Sequence, residues 1–344
     1  MMTEKLRATH VPFLDKLLGG GTAPQGVYGV LGPTGIGKTH LASMIACNGA
    51  TRGSVFQEAP GQDRPWVLFD LESHVSMSQI RILSHCAKVR RENIVAANAI
   101  EQPYEKQRRS ELTEWAGALK TEKSRLETTE RALKGKLLYF NGDMLVQLKS
   151  DVEESSGYSM DVTKIISLCI SSKIRSKQKP GGIVIDGVNN AWILANNSTS
   201  MTERRFIQHF VRDFCRDLSE QYRCPVWVTH QVNGTACDAS PLARLTHTNA
   251  ARCKAFADSL DACFVLGSST DKNFFAIQCT KGNPDRASLD QLVLTHDRDF
   301  ASIIEVENAL ENRRRQTWDV PSENSTVNNA EELLYIDQLL AELP

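Results

Sequence analysis

The amino-acid sequence predicts an α/β fold built on a mainly parallel, twisted sheet flanked by helices. Two observations carry that expectation. Short apolar segments alternate with longer stretches of helical periodicity along much of the chain. Most of those segments are continuous apolar runs, as expected for strands covered on both faces, rather than the alternating runs of a half-exposed sheet.

Taken in order, the expected strands are Val27–Leu31, Val67–Leu71, Ile183–Ile185, Val226–Thr229, Ala262–Leu266 and Phe274–Cys279. Three regions break the rhythm. Tyr104–Lys136 is dense in charge, and Leu112, Trp115, Leu119, Leu126 and Leu133 recur in it at mixed helical spacings, which predicts a long amphipathic helix or a helical hairpin. Gly234–Asp261 is polar at first and then helical in pattern. The tail from Gln316 is acidic and ends in a short helix candidate, Leu333–Leu343. There is no internal repeat and no low-complexity tract.

Composition bounds the answer further. The chain has 344 residues, 41% of them hydrophobic and 24% charged, enough to bury a sizeable core. Its apolar runs are far too short to span a membrane, and the opening MMTEKLRATH lacks the apolar stretch of a secretory signal. Nine scattered cysteines form no C-x-x-C pair, which argues against a zinc ribbon or a disulfide scaffold. A reducing, cytoplasmic setting is the expectation, or the nucleoid or nucleus if nucleic acid is bound. The formal net charge is −1, but residues 316–344 hold six acids and no Lys or Arg. Without those six acids the formal charge over residues 1–315 becomes +5, so near-neutrality averages a mildly basic body with an acidic tail.

The strongest motif is Gly32-Pro33-Thr34-Gly35-Ile36-Gly37-Lys38-Thr39, a complete G-x-x-x-x-G-K-[ST] loop between an expected strand and an expected helix. A chance match in a chain of this length is about one in a hundred. Glycines let backbone N–H groups converge on phosphate oxygens, and the helix N-terminus adds positive potential. The candidate nucleotide-contacting residues are therefore Gly32, Pro33, Thr34, Gly35, Ile36, Gly37, Lys38, Thr39 and His40. Lys38 would reach the β- and γ-phosphates of ATP, and Thr39 would coordinate Mg²⁺.

Such a loop requires a second Mg²⁺ anchor, an Asp closing an apolar strand. Gly181-Gly182-Ile183-Val184-Ile185-Asp186 supplies it in Asp186. Gly187 follows, where many ATPases carry a Glu that activates water, so the base must come from another strand. Trp66-Val67-Leu68-Phe69-Asp70-Leu71-Glu72 is a second apolar strand ending in carboxylates, with Glu72 as the candidate. The chain has no N/T-K-x-D guanine-reading element and no L-S-G-G-Q-like signature, which argues against a GTPase and an ABC ATPase. The missing Glu after Asp186 weighs against an AAA+ protein.

Beyond these motifs, Thr9-His10-Val11-Pro12-Phe13-Leu14-Asp15-Lys16-Leu17-Leu18-Gly19-Gly20-Gly21 resembles the lead-in of the RecA superfamily, especially its RadA/KaiC branch. It departs at His10, where glycine is common. The resemblance covers residues 9–100 and 160–285. It implies a RecA-like P-loop NTPase core, with Glu72 activating water and with Gln231, in Thr229-His230-Gln231-Val232-Asn233, sensing the γ-phosphate. An amide suits that task because it can donate to phosphate while accepting from water. The 148 positions from Lys38 to Asp186 are long for this core. Residues 100–160 therefore read as a helical insertion, serving either as a contact arm for a partner or neighbouring protomer, or as a solvated structural helix.

The same resemblance places two loops at a DNA channel, Asn189–Arg205 and Asn233–Lys254. Arg204 and Arg205 in the first, and Arg244, Arg252 and Lys254 in the second, are the candidate phosphate contacts. The turn Thr280-Lys281-Gly282-Asn283-Pro284-Asp285-Arg286 resembles the basic turn with which RecA-like and DnaB-like protomers reach a neighbour's γ-phosphate, so Lys281 and Arg286 are candidates to act in trans.

The expectation is a Mg·ATP-dependent ATPase acting on DNA, single-stranded DNA in the first place, as a homo-oligomeric ring or filament of recombinase, recombination-mediator or ring-motor type. A small hexameric helicase is the nearest alternative, and a KaiC-like regulatory ATPase that binds no DNA is the alternative of another class. With 26 residues before Val27, the expectation is a stripped core working with partners, docked through the 100–160 insertion or the tail, with no membrane role.

Overall fold

The computed structural model describes residues 6–52, 64–100, 113–156, 160–174, 178–195, 201–232, 255–268, 274–282, 291–297 and 299–306. Its centre is a nine-stranded sheet: β1 (Val27–Gly32), β2 (Trp66–Asp70), β3 (Leu137–Asn141), β4 (Gly182–Asp186), β5 (Val226–Gln231), β6 (Ala262–Ser268), β7 (Phe274–Lys281), β8 (Gln291–Asp297) and β9 (Ser302–Glu305). The spatial order is β3-β2-β4-β5-β1-β6-β7-β8-β9. Pairing is parallel from β3 through β6 and turns antiparallel at β6–β7 and β7–β8. The six expected strands are all present.

The continuous apolar runs have a direct cause. Side chains alternate faces along a strand, and here both faces are covered. Val27 and Leu31 of β1, Val67 and Phe69 of β2, Ile183 and Ile185 of β4 and Val226 and Val228 of β5 enter one core. The residues between them, Tyr28 and Val30, Trp66 and Leu68, Val184, and Trp227, enter the other. The first core is closed by α7 (Val162–Lys173), α8 (Val188–Ala195) and α9 (Glu203–His209), and the second by α1 (Pro12–Leu17) and α2 (Lys38–Arg52). Each fully buried large apolar side chain contributes about 1.5–3 kcal/mol. Between α9 and α10 (Arg216–Tyr222) the helix passes through a π-helical turn, Phe210–Cys215.

Three strands escape the sequence pattern. α3 (Val75–Ala87) and α4 (Arg91–Ile100) precede the region read as a helical insertion; within it α5 (Thr113–Leu133) leads into β3, which pairs in parallel with β2 and is followed by α6 (Gly142–Ser156). Residues 100–160 thus contain an edge strand of the main sheet beside the charged helix. Nor is α5 simply solvated: its Leu126 is buried with Ala87, Val89 and Ile94, and its Leu133 joins the second core. β8 is half-exposed and β9 has four residues, so neither has the continuous apolar run of a central strand.

The lead-in to β1 is held by one carboxylate. Asp15 Oδ1 accepts from the Thr9 backbone N–H (2.7 Å) and hydroxyl (2.8 Å), and its Oδ2 accepts from the His10 N–H (3.1 Å). His10 has φ 58°, a left-handed conformation, which explains why glycine suits this position. Asn48 on α2 accommodates the strained residue by donating to its carbonyl at 2.8 Å.

The chain up to Ile304 is one compact unit, and residues 305–344 form a second, of which only Glu305 and Val306 are described. Among the described residues, seven cysteines are free thiols and no helix is long and apolar enough to cross a membrane.

Candidate active site

Parallel pairing puts the C-terminal ends of neighbouring strands on one edge of the sheet, where open α/β sheets bind ligands. Along the order β2-β4-β5-β1, that edge carries Asp70 and then Glu72, Asp186, Gln231, and the loop that follows Gly32. Asp70 pairs in register with Asp186, and Gln231 with Gly32. Residues separated by more than a hundred positions are thereby gathered at one site.

The loop after β1 turns through Gly35 (φ 82°) and Gly37 (φ 109°) and enters α2 at Lys38. Lys38 is buried, and its ammonium donates to the carbonyls of Gly32 (3.0 Å) and Pro33 (2.8 Å), which ties the cation to its own loop. Thr39 follows on the first turn, where orphan N–H groups and the helix dipole favour an anion. His40 turns toward β8, its ring edge-on to His296 at 5.6 Å. Burial pushes the His40 pKa down to about 3, assisted by the charges of Arg81, His296 and Arg91, so the ring is neutral.

Asp186 is fully buried. Thr229, one strand away on β5, donates its hydroxyl to Asp186 Oδ1 at 2.5 Å and accepts from the Gly187 N–H at 2.8 Å. Thr229 therefore clamps the carboxylate and the peptide that follows it. Among the described residues no group makes a geometric hydrogen bond to the second, buried carboxylate oxygen, Oδ2. Burial raises the Asp186 pKa from 3.8 to about 7, Glu72 and Asp70 add to the rise, and the hydroxyls of Thr229 and Thr39 oppose it. An orphaned acidic oxygen facing a threonine hydroxyl at a helix N-terminus suits a hard divalent cation, which takes oxygen ligands. Asp186 and Thr39 are thus a chemically fitting pair for Mg²⁺.

Glu72 is exposed at this sheet edge and packs against Gly187. A methyl group on Gly187 would lie 2.5 Å from Glu72 Cγ, and its φ of 92° is itself one that side chains disfavour. The glycine after Asp186 therefore makes room for a carboxylate delivered from the neighbouring strand. Desolvation raises the Glu72 pKa, Lys38 opposes the rise and Asp70 adds to it.

Asp70 fixes the turn that carries Glu72. It is buried, and its Oδ1 accepts from the N–H groups of Glu72 (3.3 Å) and Ser73 (2.9 Å). Its Oδ2 accepts from the Ser78 hydroxyl and pairs with Arg81 at 3.4 Å. The path is secured on its other side by Asn190, which donates to the Leu71 carbonyl at 2.9 Å, and by the Leu71 N–H, which donates to the Asp186 carbonyl at 3.0 Å.

The remaining candidates lie elsewhere. Lys281 ends β7, which runs opposite to β6, and its partner in register is Cys263, near the start of β6. It therefore sits at the sheet edge away from its own phosphate loop. There its ammonium donates to the carbonyls of Ala257 and Asp258, both at 2.8 Å, at the end of the short helix Ala255–Asp258. Arg204 and Arg205 are exposed on the first turn of α9. Arg244, Arg252, Lys254 and Arg286 fall outside the described residues, as does the acidic tail.

Two contributors were not legible as site residues. Thr229 stands two positions before Gln231, and the strand-end pattern marks only the glutamine. Asp70 reads as one more strand-end carboxylate until its hydrogen bonds are seen.

No protein-family model matches the chain, and no curated protein matches it in sequence. Solved structures do match its fold. One solved ATPase domain superposes with a TM-score of 0.58 at 11% identity, over 88% of this chain and 92% of that one. A structure of "a DnaB-like replicative helicase and its interactions with primase" gives a TM-score of 0.58 at 11% identity, over 88% of this chain and 62% of that one. The fold is RecA-like: a mainly parallel sheet flanked by helices.

Proposed function

We propose that this chain is a Mg·ATP-dependent ATPase of RecA-like type that works on DNA as a homo-oligomer. The observation that carries the reading is the gathering of Lys38, Thr39, Asp186, Glu72 and Gln231 on one sheet edge, from four strands adjacent in space.

Each residue then has a task set by its chemistry. The N-terminus of α2 and the loop amides receive the phosphates, and Lys38 exchanges its carbonyl partners for phosphate oxygens. Asp186 and Thr39 hold Mg²⁺, which when bound neutralises charge developing on the phosphate oxygens. Glu72 orients the attacking water and accepts its proton, a role suited to a carboxylate whose proton affinity is raised by burial. Gln231, beside Gly32, bridges phosphate and water through its amide. Catalysis on this account is mainly positioning and charge stabilisation.

The place of Lys281 supports action between protomers, because a cation at the opposite sheet edge cannot reach its own phosphate loop. It would leave the carbonyls of Ala257 and Asp258 to meet the γ-phosphate of an adjoining copy. Arg204 and Arg205, exposed on the helix that follows the Asp186 strand and α8, are suited to phosphate contacts with DNA.

Between the motor types, the likeness to a DnaB-like replicative helicase favours a ring motor of helicase type over a recombinase or recombination mediator. The test is ATP hydrolysis with and without single-stranded DNA at two salt concentrations, followed by strand displacement. Stimulation that weakens with salt supports the DNA reading, since phosphate contacts release counterions. No stimulation and no DNA binding at low salt would leave a regulatory ATPase. Strand displacement would favour the helicase type over the recombinase.

A further inference from the structure

His296 lies near the end of β8, 260 positions from Ile36, and no motif in the sequence connects them. In the fold its ring stands against the phosphate loop. Its Nε2 lies 3.2 Å from the Ile36 carbonyl oxygen. A methyl group on Gly37 would overlap its Cε1, so the ring occupies the space that a side chain at Gly37 would need. Phe275 stacks on the ring at 4.5 Å from the neighbouring strand, and His40 meets it edge-on at 5.6 Å. The imidazole is held in place from two other elements.

The chemistry of this contact has one direction. A carbonyl oxygen only accepts, so His296 donates, and its proton is on Nε2. In a trans peptide, the C=O and the following N–H point to opposite sides of the C–N bond. Tying the Ile36 carbonyl to His296 therefore turns the Gly37 N–H away from β8. That N–H belongs to the set whose convergence makes the loop an anion site.

We propose that His296 is a positioning residue for the nucleotide, orienting the Ile36–Gly37 peptide so that the Gly37 N–H faces the phosphates. This rests on the ATPase reading above and extends it to a residue outside every recognised motif. The claim concerns nucleotide binding, because the amide is aimed at phosphates that are present before and during the reaction.

The experiment compares His296→Gln, His296→Asn and His296→Leu by calorimetric titration with ADP and with ATP, and by kcat and KM for ATP hydrolysis. Gln places an amide donor near the reach of Nε2, Asn is one methylene short, and Leu keeps bulk without a donor. Gln is expected to bind within about threefold of the original protein, whereas Asn and Leu bind about tenfold more weakly and show the loss in KM more than in kcat. If Leu does not fold, the contrast between Gln and Asn carries the test. Equal affinities for Gln and Asn, or a Leu variant that binds like the original protein, would overturn the proposal. Lys38→Ala separates this failure from failure of the underlying reading. If the unaltered chain binds nucleotide and Lys38→Ala abolishes it while the His296 variants are indifferent, only the His296 role falls. If the unaltered chain binds no nucleotide, the ATPase reading falls with it.

Discussion

Glu72 rests on Gly187: a methyl group on the glycine would lie 2.5 Å from Glu72 Cγ. On the ATPase reading proposed above, two strands would share the work that a single Asp-Glu pair performs in many ATPases. Asp186 ends one strand, and the candidate base, Glu72, follows the next. Gly187→Ala is expected to displace Glu72 and reduce turnover by about 100-fold while nucleotide affinity is kept, because small misplacements of a reacting group are costly. Steady-state hydrolysis and ADP titration on the same sample check it. Unchanged turnover would show that the contact does not position the base.

Thr229 binds Asp186 Oδ1 and the Gly187 N–H at once. Thr229→Val keeps the shape and removes both bonds, leaving two buried polar groups unsatisfied at a cost of about 1–3 kcal/mol each. Thermal denaturation should show a clear loss of stability, and turnover should fall with it. Thr229→Ser should restore both. A Val variant as stable and active as the original protein would remove Thr229 from the site.

The Asp186 carboxyl gives a pH dependence whose sign is fixed. Its pKa is 3.8 when solvated and about 7 in the fold, so the folded protein holds this proton more tightly than the unfolded chain. The resulting stabilisation is fully present below about pH 4 and is lost as pH rises through about 7. In the metal-free protein, Tm should therefore fall between about pH 5 and pH 8. Asp186→Asn should flatten that slope and raise Tm at the alkaline end, each kcal/mol corresponding to about 2–4 °C. An identical slope in the Asn variant would contradict the account.

Lys281 is engaged within its own chain by the carbonyls of Ala257 and Asp258. If it serves an adjoining copy, Lys281→Ala and Lys38→Ala should each lose turnover by about 10³-fold, the lower range for a trans-acting cation. Mixing the two variants should restore measurable hydrolysis, because some interfaces then combine an intact Lys38 with an intact Lys281. A mixture as inactive as its components would count against action in trans.

Much of the fold was legible because burial on both faces leaves an unambiguous mark. Ile183–Ile185 and Val226–Thr229 needed no context to read as central strands. β3 leaves no such mark, because a charged helix precedes it and it sits at an edge. β8 leaves little mark either, because a half-exposed strand carries a weak apolar pattern. At the site, the phosphate loop and Asp186 are local motifs and could be read directly. Thr229, Asp70 and His296 could not, since their importance lies in hydrogen bonds and packing made across strands or between distant segments.

The claim that one sheet edge hydrolyses ATP is tested most directly by Glu72→Gln, assayed for ATP binding and turnover together. The substitution keeps size and hydrogen-bonding capacity and removes the ability to accept a proton. The account predicts ATP affinity close to that of the original protein and turnover reduced by about 10²–10⁴-fold, the usual contribution of a general base. Hydrolysis at an undiminished rate would contradict it, and would place the base somewhere other than above Gly187.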